Sequence, residues 1–490
     1  MFSGEPNSFL RAFSAIGLNS AISIYDRVMY LVTLVVLSRL LIPSDFGKFA
    51  LATLISALCL QLFEFGFGWA LIHRQDGGRD ISTAHAALQI GSTGIGVVLS
   101  ILVAPLVSRF YGFDVAHFAI ALTVGRFVTS FGLTSRHLLE MELSFSRVIL
   151  VDFMATTISV IAGLAFAWAG WGGWALVLGG TQPALTYALV QSVGYLFLRP
   201  IFNPLGRVTL VDVKWFLRYG LPIWLDAQAV PISTQFDTFA VGTFLGSATL
   251  GFYDRAFRLA FLPASLLHQF LSRVLLPVYA RLQNTPKALT ESVSFNFRVG
   301  SYAAALACTL FLVAPKEIVL LLLGPQWIPS AELLRILALF AYARPVVFLA
   351  WPLVMALGRP GVNAAFNWIV ALATVILVPI AIFLRMDTAG VALAVGVAQT
   401  MGALFILTRL RDSGFGVFTA VLSPIPVIFI STGVGMLAGR FFPSPDTLVS
   451  LLIKAGSATV VFLIAGWSLT APAIKHLLGQ IHTSTGVTEA

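Results

Sequence analysis

The chain has 490 residues, 58% of them hydrophobic and 10% charged, with a mean hydropathy of +0.91. Soluble domains carry about 25% charged residues, so the composition excludes a soluble globular domain and indicates a polytopic α-helical membrane protein. The formal net charge of +9 does not argue for nucleic acid, because the basic residues are mostly single Arg at the edges of apolar stretches, with no basic run interleaved with aromatics.

Taken in chain order, about fourteen apolar stretches are long enough to cross a bilayer. They run over approximately 15–37, 48–70, 84–107, 115–135, 148–169, 174–198, 219–244, 252–275, 295–314, 333–357, 362–384, 389–408, 418–440 and 448–470. Continuous runs of this length exclude a membrane β-barrel, whose strands alternate over about ten residues. Twelve spans result if the 252–275 or 315–332 region is read differently. The polar start, Met1 to Leu10, lacks the pattern of a cleaved leader, so the first span is expected to act as an uncleaved signal anchor. Val211 to Tyr219 reads either as an interfacial helix with Lys214 and Arg218 on one face or as a solvated loop. The tail from His476 to Ala490 is small and polar and is expected to be disordered.

Loop charge sets the expected orientation. Fifteen Lys and Arg fall in one set of alternate loops, against six in the other: Arg39, Lys48, Arg109, Lys316, Arg385 and Arg440. The richer side is cytoplasmic by the positive-inside rule, which places both termini inside and makes the span number even.

An internal repeat is visible. Leu41, Phe46, Gly47 and Phe49 correspond to Leu245, Leu250, Gly251 and Tyr253 at an offset of 204 residues. Gly17-Leu18 and Gly220-Leu221 open the first and seventh spans at nearly the same offset. Six spans separate the copies, so two halves of like orientation are expected, related by an axis along the membrane normal. The expected organisation is an N-terminal lobe at 1–206, a C-terminal lobe at 207–411, an additional helix pair at 412–475 and a polar tail at 476–490. A substrate path between the lobes and transport by alternating access follow from that architecture.

The chain lacks G-x-x-x-x-G-K-[ST], so no nucleotide motor is expected. HExxH and GxSxG are absent too, and Cys59 and Cys308 fall singly in apolar spans, so no catalytic residue, metal or cofactor is expected. His85, His117 and His137 lie near span ends, where an interfacial role is expected, and His268 is a candidate proton site.

Charges inside apolar stretches are the functional signal, because one at the bilayer centre costs about 2.5–3.5 kcal/mol on insertion scales. Asp26, Arg27, Glu64, Arg126, Asp226, Asp237, Arg255, Arg258, Arg335 and Arg344 lie within or at the edges of the spans. Asp254 with Arg258, spaced i,i+4, also reads as an ion pair near the outer interface, Glu332 and Arg335 as the rim of the tenth span, and Lys454 as a residue snorkelling to the outer interface. Trp168, Trp171 and Trp174 read as an interfacial belt, whereas Trp224 and Trp351 lie deeper.

The run Leu37-Ser38-Arg39-Leu40-Leu41-Ile42-Pro43-Ser44-Asp45-Phe46-Gly47 resembles a signature of polysaccharide-transport flippases. The segments Val241–Leu259, Arg273–Gln283 and Leu323-Gly324-Pro325-Gln326-Trp327 resemble that family's further motifs. The resemblance runs in order over residues 10–410 and is weak over the last two spans. It is to the Wzx-type and succinoglycan-exporter branch of the MATE-like multidrug/oligosaccharidyl-lipid/polysaccharide (MOP) superfamily.

The resemblance implies a non-enzymatic flippase of the bacterial inner membrane. It would move undecaprenyl-diphosphate-linked oligosaccharide repeat units by alternating access, with membrane lipid and polysaccharide polymerase machinery as partners. A diphosphate needs permanent cations to replace its water, so Arg27, Arg126, Arg255, Arg258 and Arg344 are the candidate substrate-binding residues. Asp26, Glu64, Asp226 and Asp237 are candidates for charge balance or ion coupling. A cation-coupled exporter of small amphiphiles and a non-transporting component or enzyme of membrane glycan assembly are the alternatives.

Overall fold

The computed structural model describes residues 6–74, 78–180, 184–201, 206–411 and 414–485. The regular secondary structure of these residues is helical, and the chain forms two compact units, Met1–Asp254 and Arg255–Ala490.

The first unit contains α1 (Pro6–Leu40), α2 (Pro43–Gln61), α3 (Phe67–Arg74), α4 (Arg79–Tyr111), α5 (Phe113–Met141), α6 (Phe145–Trp168), α7 (Trp174–Leu178), α8 (Leu185–Leu198), α9 (Leu210–Ala227), α10 (Ala229–Phe244) and the first two turns of α11 (Ser247–Leu282). Helix α5 is its hub, packed against α2, α4 and α8, while α6 bridges α8 to α1. The second unit holds the rest of α11, then α12 (Pro286–Val313), α13 (Pro315–Leu322), α14 (Pro329–Ile336), α15 (Ala338–Ala356), α16 (Pro360–Phe383), α17 (Asp387–Arg411), α18 (Val417–Leu422), α19 (Ile425–Phe441) and α20 (Thr447–Thr485). Its core forms where α12, α15, α16 and α17 meet, around Phe297, Leu349, Leu353, Phe366 and Ile406. Proline opens α2, α12, α13, α14 and α16, where the missing N–H costs nothing and φ is already helical.

Among the described residues, nine helices are long and apolar enough to cross a membrane. The other expected spans coincide with α1, with α11, and with the pairs α2–α3, α7–α8 and α9–α10. Those pairs correct the reading of continuous spans. The second is broken over residues 62–66, the sixth between Leu178 and Leu185, and the seventh at Gln228. The stretch from Val211 to Tyr219 is the first part of α9, with Phe216 buried against Phe67 and Trp215 stacked on Tyr219. Helix α20 carries on to Thr485, into the tail expected to be irregular; residues 486–490 lie outside the described ones.

The repeat has a physical counterpart. A Cβ on Gly47 would lie 1.7 Å from the Ser247 carbonyl oxygen, and one on Gly251 would lie 1.9 Å from that of Pro43. Each glycine abuts the backbone four residues before the other, a reciprocal contact with the form of a local two-fold axis. Only hydrogen fits there. Gly47→Val or Gly251→Val is expected to cost at least about 1–3 kcal/mol by overpacking, whereas Gly91→Ala, with nothing within 4 Å of its added Cβ, is expected to be neutral or stabilising. Thermal melting of the purified protein checks this, and equal melting of Gly47→Val and wild type would contradict it.

A second contact predicts acid sensitivity. Asp212, at the start of α9, accepts from the Thr209 hydroxyl at 2.5 Å and from Arg74 at 3.1 Å. The Thr209 bond first, then Arg74, hold its carboxyl below the usual carboxylate range. A depressed folded value stabilises the protein above the unfolded pKa of about 3.9 and is lost as pH falls through the folded value. The melting-temperature gap between wild type and Asp212→Asn is therefore expected to be largest near neutrality and to close as the pH drops below about 4. A gap that is constant with pH would contradict the assignment.

Candidate functional site

The break between α2 and α3 is held open by the end of α9. The Gln61 carbonyl, freed by the end of α2, accepts from Trp224 Nε1 at 3.1 Å and from Gln228 Nε2 at 3.3 Å. Gln61 Nε2 in return donates to the Ala227 carbonyl at 2.6 Å, where α9 ends. Trp224 stacks on Phe65 at 5.6 Å between ring centroids. Gly66 takes the left-handed conformation, φ +65°, that the turn requires. In apolar surroundings irregular backbone survives only where it is buried in protein or lines a cavity, and here it does both.

The cavity beside the break has a volume of about 420 Å³ and lies among α2, α3, α4 and α5. Glu64 reaches in from the broken segment and pairs with Arg126 of α5 at 3.7 Å, with both side chains about half exposed. About three to four turns further along α5 lie Arg136, His137 and Glu140, which also line it. Arg136 bonds Glu140 at 3.0 Å and faces Asp152 of α6 at 3.5 Å, with its guanidinium over the Tyr195 ring. Tyr195 and Gln191 of α8 donate to Asp152 at 2.7 and 3.0 Å. His137 bonds Glu140 at 3.1 Å, and its ring fits only because position 68 is glycine: a Cβ there would lie 2.4 Å from its Nε2. His85 meets His137 edge to face at 5.7 Å and bonds Thr134 at 2.8 Å. It is fully buried within the protein. Trp69 and Phe63 add aromatic surface to the same cavity.

The site therefore has two kinds of cation. Arg136 is fixed by two carboxylates and a ring, whereas Arg126 has one loose partner and open space beside it. A wet, flexible guanidinium can exchange its carboxylate for an incoming anion with little loss; a braced one cannot.

A second cavity, of about 490 Å³, lies within the second unit and is lined by Arg344, His268, Phe348, Trp351, Asn363 and Asn367 among others. Arg344 Nη1 donates to Gln399 at 2.9 Å, and the guanidinium lies 5.2 Å from the Phe348 ring centroid. Its buried Nε has no acceptor among the described residues.

The other predicted residues are not among those that line these two cavities. Asp26 accepts from Thr156 of α6 at 2.9 Å. Arg27, Arg255 and Arg258 each have an interaction partner within the molecule, and Arg255 is buried. Asp237 is buried and accepts from the Tyr253 hydroxyl at 2.5 Å and from the Thr238 N–H at 2.8 Å. The side chain of Asp226 lies outside the described residues. Trp168 and Trp171 are exposed, as a belt requires, whereas Trp174 packs on Phe118. Sequence reasoning missed Arg136, His137, Glu140, Asp152 and Gln399 as neighbours of the sites. The i,i+4 spacing of Arg136 and Glu140 was the one available signal, and it suits a structural pair equally well.

Fold and cavities together define a multi-pass helical membrane protein with the architecture of lipid flippases and multidrug exporters. Similar solved structures are "Lipid II flippase MurJ, inward closed conformation" (TM-score 0.67, 14% identity, covering 93% of this chain and 99% of that one) and an inward-facing multidrug resistance MATE family transporter of the MOP superfamily (TM-score 0.61, 16% identity, covering 79% and 95%). Residues 36–332 match the family described as "Polysaccharide biosynthesis protein", and the chain belongs to that family. Its relatives include the lipopolysaccharide biosynthesis protein WzxC of Escherichia coli (strain K12), 27% identical over 69% of this chain and 68% of the relative. The succinoglycan biosynthesis transport protein ExoT of Rhizobium meliloti (strain 1021) is 20% identical over 63% and 62%.

The different bracing of the two arginines is measurable. Arg136→Ala leaves Asp152 and Glu140 without their cation and is expected to lower stability by about 3 kcal/mol. Arg126→Ala is expected to change it by less than about 1 kcal/mol. Thermal melting of both variants checks this, and equal losses would contradict the division.

Proposed function

We propose that the protein is a flippase that moves undecaprenyl-diphosphate-linked oligosaccharide repeat units across the bacterial inner membrane by alternating access, with both termini cytoplasmic. The observation that carries the reading is the cavity at the α2–α3 break. It combines a loosely paired guanidinium, hydrogen-bonding side chains and the aromatic surface of Trp69 in a chain of the polysaccharide biosynthesis family. Arg126 takes the diphosphate, with Glu64 as the carboxylate that holds its charge between cycles. Arg344 is the corresponding candidate of the second unit. The names of the relatives WzxC and ExoT, and the lipid II flippase fold, support a lipid-linked glycan as cargo.

In a host without a paralogue, loss of the protein is expected to trap the lipid-linked repeat unit in the inner leaflet and to abolish surface polysaccharide. Arg126→Ala is expected to restore export at least about tenfold less well than wild type, the scale of one charge-assisted hydrogen bond, at unchanged protein level. Wild-type export from Arg126→Ala would remove the residue from the site, and normal polysaccharide in the deletion strain would sink the flippase reading. Glu64, half exposed in the same cavity, is the observation that favours the second reading, a cation-coupled exporter of small amphiphiles. Thermal stabilisation by a cationic dye and not by an undecaprenyl-diphosphate sugar would select it.

A further inference from the structure

A third cavity, of about 580 Å³, lies within the second unit, where the ends of α12, α13, α14, α19 and α20 meet. Its charged lining is Lys316, Arg335, Arg440 and Lys454 with Glu317 and Glu332. Its formal charge is +2, and the pairing of Glu317 with Lys454 leaves that excess on the remaining residues. Glu317, 7% exposed, accepts from Lys454 Nζ at 2.5 Å and from the Ser450 hydroxyl at 2.8 Å. Burial pushes the Glu317 carboxyl up, yet the bonds from Lys454, its own backbone N–H and Ser450 outweigh it and hold it below the usual carboxylate range. Lys454, read from the sequence as a snorkelling residue, is partly exposed and turns to Glu317 at the floor of the cavity.

The floor is built by sequence. Gly435 and Gly439 form a G-x-x-x-G face on α19, and a Cβ on them would lie 2.8 Å from the Lys454 carbonyl oxygen and 2.5 Å from its Cε. The Lys454 stem lies in this groove and so reaches Glu317. With that pair closed, Lys316, Arg335 and Arg440 stand exposed around the rim against Glu332 alone. None of these four side chains makes an ion pair among the described residues.

Two features name the ligand. Lys316 and Arg440 belong to the basic-poor set of loops, so a distribution set by topology alone would not gather four cations into one bowl on that face. The wall of the bowl is apolar, with Val313, Ile328 and Met436. The helices that run from it, α19 and α20, present exposed Phe429, Leu437, Leu452 and Leu463 along their length, a face suited to hydrocarbon. A water-soluble anion needs the cations and not the wall, whereas a lipid-borne phosphate needs both.

We propose that this cavity binds the phosphate headgroup of an anionic lipid, held by Arg335, Arg440 and Lys316, with the lipid's chain lying along α19 and α20. The two sources of that chemistry are a bilayer phospholipid and a polyprenyl phosphate. The site stands apart from the flippase reading, because its occupancy is read without transport. Native mass spectrometry of the full-length protein, titrated separately with phosphatidylglycerol, undecaprenyl phosphate, phosphatidylcholine and inorganic phosphate, tests it. Phosphatidylglycerol or undecaprenyl phosphate is expected to bind, and whichever binds more tightly names the source. Arg335→Gln/Arg440→Gln is expected to weaken that binding about thirtyfold, since each cation near a membrane surface contributes roughly tenfold or somewhat less. Both side chains are exposed, and melting of the double variant confirms its fold. Unchanged lipid binding in the double variant, equal binding of phosphatidylcholine, or equal binding of inorganic phosphate would each overturn the assignment.

Discussion

In hydrocarbon, a backbone carbonyl without a donor or a charge without a partner has nowhere to turn but the protein itself. The pairing of Gln61 with Trp224, Gln228 and the Ala227 carbonyl answers that constraint where α2 and α9 end within the first unit. Because those groups satisfy one another, the segment over residues 62–66 can leave helical geometry. Glu64 then faces Arg126, and Gly68 comes close enough to His137 to seat its ring. Were α2 and α3 one continuous helix, these residues would follow its regular helical spacing and there would be no turn beside the cavity.

The same constraint sorts the charges. Arg136, with Glu140, Asp152 and the Tyr195 ring about it, is a joint among α5, α6 and α8. Its several partners repay its desolvation and make it poor at releasing them. Arg126 and Glu64 meet at the outer limit of a salt bridge and stay half wet, which suits a pair that opens for a ligand. In the second unit the pair of Glu317 and Lys454 behaves like Arg136, closed and structural, while Arg335 and Arg440 behave like Arg126. The distinction between braced and available cations follows from local geometry and is invisible in a count of arginines.

The sequence showed the class of the molecule clearly, because twenty-residue apolar runs admit few structures in a membrane. It also showed the family, through the motif around Pro43 and Gly47. The offset of 204 residues between Gly47 and Gly251 led to a contact that the structure realises reciprocally. What could not be read was where helices break. The runs over 48–70, 174–198 and 219–244 read as single apolar stretches, and their interruptions depend on glycines and side-chain caps contributed by distant segments. Nor could depth be read from position. Arg136 and His137 sit near a predicted span end and yet line the cavity, because α5 is longer than its most apolar window, and His85 of α4 is wholly enclosed.

The central claim is that the cavity beside the α2–α3 break carries a diphosphate-linked glycan through the membrane. Reconstitution in liposomes holding a labelled undecaprenyl-diphosphate oligosaccharide in both leaflets tests it most directly, with an impermeant glycosidase outside that cleaves what reaches the outer leaflet. The account predicts that wild-type protein lets the enzyme consume the inner-leaflet pool as well, and that Arg126→Ala leaves that pool protected. Protection of the inner pool by wild type, or equal consumption by both proteins, would contradict it.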